Sequence, residues 1–365
     1  MNESRCWSPR EYAGVVLYDL PRVLPRLLTR QGWVGVCNRQ DQRTWSADGR
    51  GVAVAGDWSS ALHACNVFPL LGRLLMRRAL ADWPISLATR QSSAGRPRVS
   101  FLIPHRGEDR EPLLRLTLDS ILAQQGVAVE CILVEQSASR DLGPLPAGVR
   151  YIHLPHPTDR RSWRKSWAYN VGAAAAQADI LVCHDGDILV PEGYAAEICR
   201  LFDSSDWEVA HLQRFLFYLG PEATRALVAN GPLSPVIPAD VRQNWCGGTL
   251  AIRKAAYAAI GGFDERFVDW GGEDNEFFDR CGSLKQFAFG YVPFIHLWHP
   301  PQANKFGPGR DRAVAFMHDR LALPVAQRIA ELRSRQPVRG VVSFHSWGGE
   351  SSRMQSSRPW AFSRS

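Results

Sequence analysis

Between residues 99 and 187, short apolar segments alternate with segments of helical character. The apolar segments have the length of buried strands, and they lie at 99–104, 129–134, 149–154 and 178–183. The first intervening helix is expected from about Glu111, because Pro112 suits a first helical turn. Strands that alternate with helices at this spacing predict an α/β fold, with a mostly parallel central sheet flanked by helices.

Polar residues stand at the ends of three of these strands. Arg106 comes just after the first strand, Glu135 ends the second, and an Asp-Gly-Asp at 185–187 follows the fourth. The carboxyl ends of parallel strands lie at one edge of the sheet, where ligands bind in such folds. We therefore expect Arg106, Glu135, Asp185 and Asp187 to line a ligand site.

A second candidate site lies in the stretch 245–280, where Trp270 and two glycines precede the paired carboxylates Glu273 and Asp274. Glycine adopts backbone conformations closed to other residues, so the chain can turn sharply there before a helix begins. The two acids then fall in the first turn of that helix, near its positive end. An isolated Glu-Asp pair is more often a solvated helix cap. This pair is a candidate because other candidate site residues accompany it.

Two histidines, His296 and His299, follow the acid pair. Carboxylates, imidazoles and the flat apolar ring of Trp270 in one fold suggest a metal ion beside a sugar. Each histidine could instead have a structural role. His299 lies beside prolines and could be a turn histidine, and His296 could merely bond a backbone carbonyl. Trp163 and Trp167 are interpreted as packing residues of a predicted helix.

The length of 365 residues exceeds one typical domain. Residues 1–95 predict a small α+β module of unknown function, joined to a domain at 96–335 by a Ser-, Gly- and Arg-rich linker at 88–98. The elements predicted in the module are two strands and one helix, at 33–37, 51–55 and 59–81. The Ser- and Arg-rich tail, 336–365, is expected to be disordered.

The net charge of +7 comes mostly from arginine, which suits bidentate binding of phosphates. Nucleic acid is not the expected partner, because the sequence contains no zinc-finger, helix-turn-helix or aromatic ribonucleoprotein motif. The basic residues are dispersed along the chain, which favours nucleotide-sugar phosphates or an anionic membrane surface as partners.

The eight cysteines show no Cys-x-x-Cys and no zinc-ligand spacing, so they are expected to be thiols in a reducing compartment. No stretch approaches the roughly 18 to 20 continuous apolar residues that span a bilayer. The first residues lack the apolar core of a secretory leader. These features predict a cytoplasmic protein that contacts the inner membrane face peripherally.

Five separated segments resemble, in order, those of nucleotide-sugar glycosyltransferases of GT-A fold, a Rossmann-like α/β fold. They are FLIPHR (101–106), LVEQ (133–136), AYNVG (168–172), HDGDILVPE (184–192) and GG with FVDWGGED (247–248, 267–274). The likeness is to the β-1,4-galactosyltransferases and to the related catalytic module of chondroitin-type polymerases and polypeptide N-acetylgalactosaminyltransferases. It covers about residues 97–305, and one such segment alone would be a weak signal.

The resemblance implies a nucleotide site. Arg106 would contact the nucleotide, Glu135 would lie at the uracil or ribose, and Asp185 would face the ribose and the metal ion. The chain departs from the family pattern at His105 and Gly186, which puts the identity of the donor and acceptor in doubt more than the reaction type.

The resemblance also implies a divalent metal ion bound by Asp187 and His299, with His296 where these transferases have another ligand or a methionine. A nucleoside diphosphate gains negative charge as the sugar leaves it, and a divalent cation stabilises that charge. Carboxylate oxygens suit Mg²⁺ or Mn²⁺, and imidazole favours Mn²⁺.

On the acceptor side, the resemblance implies that Trp270 and Glu273 hold the acceptor sugar and that Asp274 is the catalytic base. The pKa of a sugar hydroxyl is far above 7, so a positioned carboxylate is needed as the new bond forms. The ring of Trp270 can stack on the apolar face of a pyranose.

The sequence therefore predicts a metal-dependent inverting glycosyltransferase that moves a hexose or N-acetylhexosamine from a UDP-sugar to a glycan or other hydroxyl acceptor. Two alternatives stay open, a retaining enzyme that resembles the polypeptide N-acetylgalactosaminyltransferases and a non-catalytic nucleotide- or carbohydrate-binding module. Glu-Asp rather than Glu-Asn at 273–274 favours inversion. A zinc hydrolase is disfavoured, because no His-Glu-x-x-His is present.

Overall fold

The structure is a computed structural model of the chain. It describes residues 7–29, 32–55, 61–87, 95–140, 142–155, 163–231, 233, 236–243, 247–301, 307–335 and 343–345. The strands, in chain order, are Gln42–Trp45 (β1), Val52–Ala55 (β2), Val99–His105 (β3), Val129–Ser137 (β4), Val149–Pro155 (β5), Ile180–His184 (β6), Ile188–Leu189 (β7), Val209–Ala210 (β8), Gln213–Tyr218 (β9), Asp240–Gln243 (β10), Thr249–Arg253 (β11), Gln286–Phe287 (β12), Val292–His296 (β13) and Ser343–His345 (β14).

The α-helices are Pro9–Gly14 (α1), Leu20–Leu28 (α2), His63–Val67 (α3), Pro69–Asp82 (α4), Glu111–Leu122 (α5), Lys165–Ala175 (α6), Tyr194–Ser204 (α7), Pro221–Val228 (α8), Lys254–Ala259 (α9), Glu273–Cys281 (α10), Pro308–Leu321 (α11) and Val325–Ser334 (α12). Within the described residues, no helix is long and apolar enough to span a bilayer. Six of the cysteines lie there as free thiols, at 37, 65, 131, 183, 199 and 281.

The large sheet has the strand order β12-β8-β11-β6-β3-β4-β5-β14. Its centre is parallel, because β3 pairs in parallel with β4 and β6, and β4 pairs in parallel with β5. Strands β11 and β14 run antiparallel to their neighbours β6 and β5. The predicted α/β fold with a mostly parallel centre is therefore confirmed, with antiparallel strands added outside it.

Helices cover both faces of this sheet. Successive strand residues point to opposite faces, so Phe101 and Ile103 of β3 pack in the core that includes α5 and α7. Leu102 lies between them and packs in the second core, with side chains of α6, α9 and α10. Helix α5 begins at Glu111, with Pro112 in its first turn as the sequence predicts.

A second sheet, in the order β10-β9-β13-β7, stands beside the first. Strand β13 pairs in parallel with β9 and antiparallel with the short β7, which follows the Asp-Gly-Asp turn. This pairing carries the histidine segment to the carboxyl edge of the parallel strands.

The N-terminal residues differ from the sequence prediction. The segment predicted as a strand at 33–37 contains a 3-10 helix, Gly32–Gly35, and the two strands of the region are β1 and β2. A helix over residues 9–28, in which the π-helical turn Val15–Asp19 joins α1 to α2, was not predicted. The predicted helix at 59–81 corresponds to α3 and α4, and its first two residues lie outside the described ranges.

These residues share a core with the rest of the chain. Val23 and Trp33 lie in the same buried cluster as Phe215 of β9. The buried guanidinium of Arg214 donates to the carbonyl of Val34 at 2.6 Å and to the carbonyl of Val36. The division at residue 95 stays a prediction, and most of the linker and of the tail lies outside the described residues.

Candidate active site

The Asp-Gly-Asp turn lies between β6 and β7, at the carboxyl edge of the parallel strands. The Asp187 carbonyl accepts a hydrogen bond from the Leu297 N–H at 2.9 Å. Because β7 and β13 are also paired, the turn and the end of β13 are fixed against each other. The sheet therefore brings His296 to Asp187 across more than 100 residues of sequence.

Three side chains form a compact donor set at this point. The Asp187 carboxylate lies 3.2 Å from His299 Nε2 and 3.8 Å from His296 Nε2. Ligand atoms of the three residues all lie within 4.8 Å of one another. All three side chains are less than 20% exposed, and Tyr218 stacks on the His296 ring at 4.4 Å. The three predicted metal ligands therefore come together.

The tautomers of the two histidines favour a cation. His296 Nδ1 lies 2.7 Å from the Leu297 carbonyl, and His299 Nδ1 lies 2.8 Å from the Pro300 carbonyl. A carbonyl only accepts, so each Nδ1 carries a proton, and in the neutral form of either ring the Nε2 lone pair faces Asp187. Lone pairs facing a carboxylate repel it unless a cation lies between them, and metal-binding histidines commonly bond carbonyls in this way.

The electrostatics of the donor set agree with this arrangement. Burial lowers the pKa of His296, outweighing the attraction of Asp187, so its neutral form is favoured. Burial alone would raise the pKa of Asp187, but attraction to the protonated forms of His296 and His299 and to Arg110 outweighs burial and holds that pKa well below its usual range. The carboxylate is therefore ionised and able to bind a metal ion at neutral pH.

Arg110 adds a positive charge that the sequence analysis did not identify. It lies in the 3-10 turn Glu108–Arg110, before α5, and its Nη1 is 3.2 Å from Asp187 Oδ2. Both side chains are less than 20% exposed. In the absence of a metal ion, the guanidinium partly neutralises the carboxylate.

Lys165, at the start of α6, is the centre of a second cluster. Its Nζ lies 2.9 Å from Asp185 Oδ1, 3.2 Å from Asp274 Oδ2 and 3.6 Å from Glu273 Oε1. The Tyr169 hydroxyl donates to Asp185 Oδ1 at 3.1 Å. One ammonium group thus joins the first aspartate of the Asp-Gly-Asp turn to the acid pair.

The same cluster sets the charge state of Asp274. Burial raises the pKa of Asp274 to about 7, and the repulsion of Glu273 and Asp185 adds to burial while Lys165 opposes it. Burial would lower the pKa of Lys165, but Asp185 and Asp274 outweigh it and raise that pKa well above its usual value. Lys165 is therefore charged, and Asp274 has a pKa that suits a general base near neutral pH.

Two glycines place the acid pair as predicted. Gly271 has φ 111° and Gly272 has φ 89°, a region that side-chain-bearing residues rarely adopt. A Cβ atom on Gly272 would lie 2.8 Å from Met317 Cβ of α11. Helix α10 begins directly after this turn, with Glu273 and Asp274 as its first two residues.

A buried ion network fixes the helix that carries the acid pair. Arg280 is fully buried, and it binds Glu276 and donates to the carbonyls of Ile260 and Gly262 at 2.6 and 2.7 Å. Arg328 of α12 binds Glu276 at 3.0 Å. Because each buried charge has partners, α10 is held in one position against α9 and α12.

Three further predicted residues lie elsewhere around this edge. Arg106 is half-buried just after β3, and the Glu135 side chain is fully buried and accepts a hydrogen bond from the Tyr151 hydroxyl. Trp270 is half-buried, with the Arg310 guanidinium 5.9 Å from its ring centre. Their roles toward a nucleotide or sugar stay predictions.

Lys165, Arg110 and Tyr169 are the site residues that the sequence analysis missed. Lys165 is one of only four lysines in the chain, against 39 arginines, so a lysine there marks a position that uses a compact point charge. Arg110 offered no such signal, because its proximity to Asp187 depends on how the loop after β3 folds.

Two families of known proteins match this chain, one after the other along the sequence. Residues 100–227 match the family described as "Glycosyl transferase family 2", and residues 238–292 match the "N-terminal domain of galactosyltransferase". The first match includes Lys165, Asp185 and Asp187, and the second includes Glu273 and Asp274.

Curated relatives carry related names. The chain is 25% identical to polypeptide N-acetylgalactosaminyltransferase 12 of Homo sapiens, over 67% of this chain and 47% of that protein. It is 27% identical to β-1,4-galactosyltransferase 7 of Homo sapiens, over 41% of each chain. The chain thus spans less than half the length of these relatives.

Among solved structures, one similar chain is a mutant of Drosophila β-1,4-galactosyltransferase 7 in complex with manganese, UDP-Gal and xylobiose. Its TM-score is 0.31 at 20% identity, covering 57% of this chain and 66% of that chain. The family assignment rests on the sequence matches, and it confirms the resemblance inferred from the five segments. The chain carries a glycosyltransferase region of GT-A fold, related to the family 2 glycosyl transferases and to the galactosyltransferases.

Proposed function

We propose that the chain is a metal-dependent inverting glycosyltransferase that moves a hexose or N-acetylhexosamine from a UDP-sugar to a glycan or other hydroxyl acceptor. The observation that supports this proposal is that the Asp187 donor set and the Lys165 cluster are adjacent. Asp187 belongs to a cation-binding donor set, and Asp185, two residues before it, is joined through Lys165 to Asp274. The proposed leaving-group site and the proposed proton acceptor would thus lie side by side.

On the donor side, Asp187, His296 and His299 would hold Mn²⁺ or Mg²⁺. The bound cation would offset the negative charge that the departing UDP develops. Arg106 and Glu135 stay candidates for the nucleotide, in accord with the resemblance.

On the acceptor side, Asp274 would accept the proton of the acceptor hydroxyl. The hydroxyl oxygen then forms a bond to the anomeric carbon, while the bond from that carbon to the UDP oxygen breaks and its electron pair leaves with UDP. A base with a pKa of about 7 is half ionised at neutral pH, which suits this step. Glu273 would orient the acceptor hydroxyls, and Trp270 would stack on the sugar ring.

A donor panel tests the proposal. The protein is incubated with Mn²⁺, a mixture of simple glycan acceptors and each of several nucleotide sugars, and release of the nucleoside diphosphate is measured. We expect turnover of one UDP-sugar, which Asp187→Asn abolishes. Asp179→Asn is the matched control, because this aspartate lies just before β6, at the opposite end of the strand, with a side chain that is 90% exposed. Binding of UDP without turnover of any donor would support a non-catalytic module.

The retaining mechanism is the second candidate. It is favoured by the match to polypeptide N-acetylgalactosaminyltransferase 12, which extends over 67% of this chain. The stereochemistry of the product decides between the two mechanisms, since a single displacement with Asp274 as base inverts the anomeric centre. NMR of the new anomeric proton measures it directly, and retention would exclude that base.

A further inference from the structure

The N-terminal helix over residues 9–28 exposes an unusual amount of apolar surface. Eleven large apolar side chains are exposed in the described part of the chain, and six of them belong to this helix. They are Tyr12, Val16, Leu17, Tyr18, Leu24 and Leu28. Leu17 is 66% exposed and Leu28 is 73% exposed. Apolar side chains concentrated in this way mark an interaction surface, whereas single exposed ones need no explanation.

Two further exposed residues extend this surface. The Tyr12 ring contacts the ring of Phe68 at 6.1 Å, two residues before Leu70, which is 69% exposed. Trp45 of β1 is 45% exposed and lies against Gly35, as does Arg26 of α2. Eight of the eleven exposed apolar side chains are therefore collected around this one helix.

The helix cannot turn this surface inward. Its other side is fixed in the main core through Val15, Val23 and Leu27, each no more than 4% exposed. The π-helical turn and Pro25 are both contained within the same continuous helix. The exposed side chains therefore form a stable feature of the folded chain.

The charge around the surface is mainly positive. Arg22, Arg26, Arg39 and Arg43 surround the helix, and within the described residues none of them forms an ion pair with a carboxylate. Arg22 donates to the Arg39 carbonyl at 2.6 Å, and Arg43 donates to the Gly35 carbonyl at 2.7 Å. Contacts to carbonyls do not neutralise these arginines, and the nearby acid that attracts Arg22 and Arg39 is the buried Asp19.

Neighbouring acids do not reverse this sign. Asp19 is buried and accepts a hydrogen bond from the Arg39 N–H at 2.9 Å. Burial lowers the pKa of Arg26, and the repulsion of Arg43 and Arg22 lowers it further. The surface thus combines leucines and tyrosines with a cluster of arginines whose mutual repulsion would be relieved by an anionic partner.

We propose that the 9–28 helix, together with Trp45 and Leu70, docks the protein on an anionic lipid bilayer. Leu17, Leu24 and Leu28 would enter the boundary between headgroups and acyl chains, and the arginines would meet lipid phosphates. A bilayer offers an apolar layer beneath a negative one, which matches both properties of the surface.

The docking surface contains no residue of the metal cluster, and α3 and β10 lie between the two. Asn66 of α3 donates to Asp240 of β10 at 2.6 Å, and Asp240 pairs with Tyr218, which stacks on His296. Substitutions on the exposed side of the helix should therefore leave nucleotide binding unchanged. Nucleotide binding is thus a control for correct folding.

The test is vesicle flotation of the full chain. Vesicles of phosphatidylcholine alone are compared with vesicles that also contain phosphatidylglycerol. We expect binding to the second kind only, weakened by salt. The paired change Leu17→Ser with Leu28→Ser should weaken it by about tenfold or more. The paired change Arg22→Gln with Arg39→Gln should weaken it roughly 30-fold.

The matched control is Val228→Ser with Leu321→Ser, since these side chains are also exposed but lie on α8 and α11. This variant should float like the unchanged protein. Absence of binding to phosphatidylglycerol vesicles, or binding that survives the Leu17 and Leu28 changes, would overturn the proposal. Sedimentation that detects a dimer lost on the same two changes would assign the surface to a second copy of the chain and would also overturn it.

Discussion

Replacing Lys165 by methionine should move the pH dependence of catalysis. The ammonium lies 3.2 Å from Asp274, and it opposes the burial that raises the pKa of this carboxyl to about 7. An opposite charge at this distance typically lowers a carboxyl pKa by about 1 to 3 units, so its removal should raise the pKa of Asp274 to roughly 9. Methionine retains the length and apolar stem of the side chain.

The sign follows from the role of Asp274 as a base. Only the ionised carboxylate accepts a proton, so turnover rises with pH through its pKa. At pH 7 about half of Asp274 is ionised in the unchanged enzyme, against ~1% in the variant, and turnover should fall about 50-fold. The loss should largely disappear near pH 10. Lys165→Arg, which keeps the charge, should retain a profile close to that of the unchanged protein.

The assay is the pH profile of kcat with saturating donor and acceptor, with the melting temperature of each variant as a check on folding. An acidic limb that stays near pH 7 in Lys165→Met, with a loss of turnover that is the same at all pH values, would refute this reasoning. Lys165 would then act on the donor, and the ionisation of Asp274 would not depend on Lys165.

Three other outcomes are expected. Asp274→Asn should lower kcat by on the order of 10²- to 10⁴-fold, with little change in nucleotide affinity measured by calorimetry. Glu273→Gln should mainly raise the KM for the acceptor. Near-normal turnover in Asp274→Asn would exclude Asp274 as the base. Arg110→Ala should tighten Mn²⁺ binding in the absence of nucleotide, because it removes a cation 3.2 Å from Asp187, and electron paramagnetic resonance of free Mn²⁺ measures this; unchanged affinity would contradict it. Arg214→Met should destabilise the whole chain by about 2 to 4 kcal/mol in urea unfolding, since two buried carbonyls lose their donor; a loss confined to the N-terminal residues would show that they fold separately.

The central sheet was predictable because its strands are continuous apolar runs, separated by residues that favour turns and helix starts. Strand β3 and helix α5 begin at the residues where apolar pattern and Pro112 place them. The position of the acid pair was also predicted correctly. Two glycines favour a sharp turn and the Glu-Asp that follows favours the start of a helix, so local sequence alone indicates both.

The N-terminal region was not predictable from the same rules. Pro21 and Pro25 with Gly14 look like helix breakers, yet the helix continues through them. Pro21 would clash with the carbonyl four residues before it in a regular helix, and the π-helical turn over residues 15–19 widens the backbone at that place. The apolar run at 33–37 is too short for periodicity to separate a strand from a buried 3-10 turn.

The clusters at the site depended on tertiary contacts. The distances from Lys165 to three carboxylates join α6, the turn after β6 and the start of α10, which are separated by up to 109 residues. The sequence offered candidates in the turn after β6 and at the start of α10, but not the Lys165 ammonium of α6 that lies between them. The histidines could be paired with Asp187 only through the resemblance, and the pairing of β7 with β13 supplies the physical reason.

The most direct measurement of the central claim is the titration of UDP by calorimetry, with Mn²⁺ and with a chelator. The account predicts binding that requires the cation, because the ionised carboxylate of Asp187 would otherwise repel a diphosphate. Asp187→Ala should lose the cation dependence together with the binding, and Asp179→Ala should not. Equal affinity for UDP with Mn²⁺ and with the chelator would contradict the metal site and the donor side of the mechanism with it.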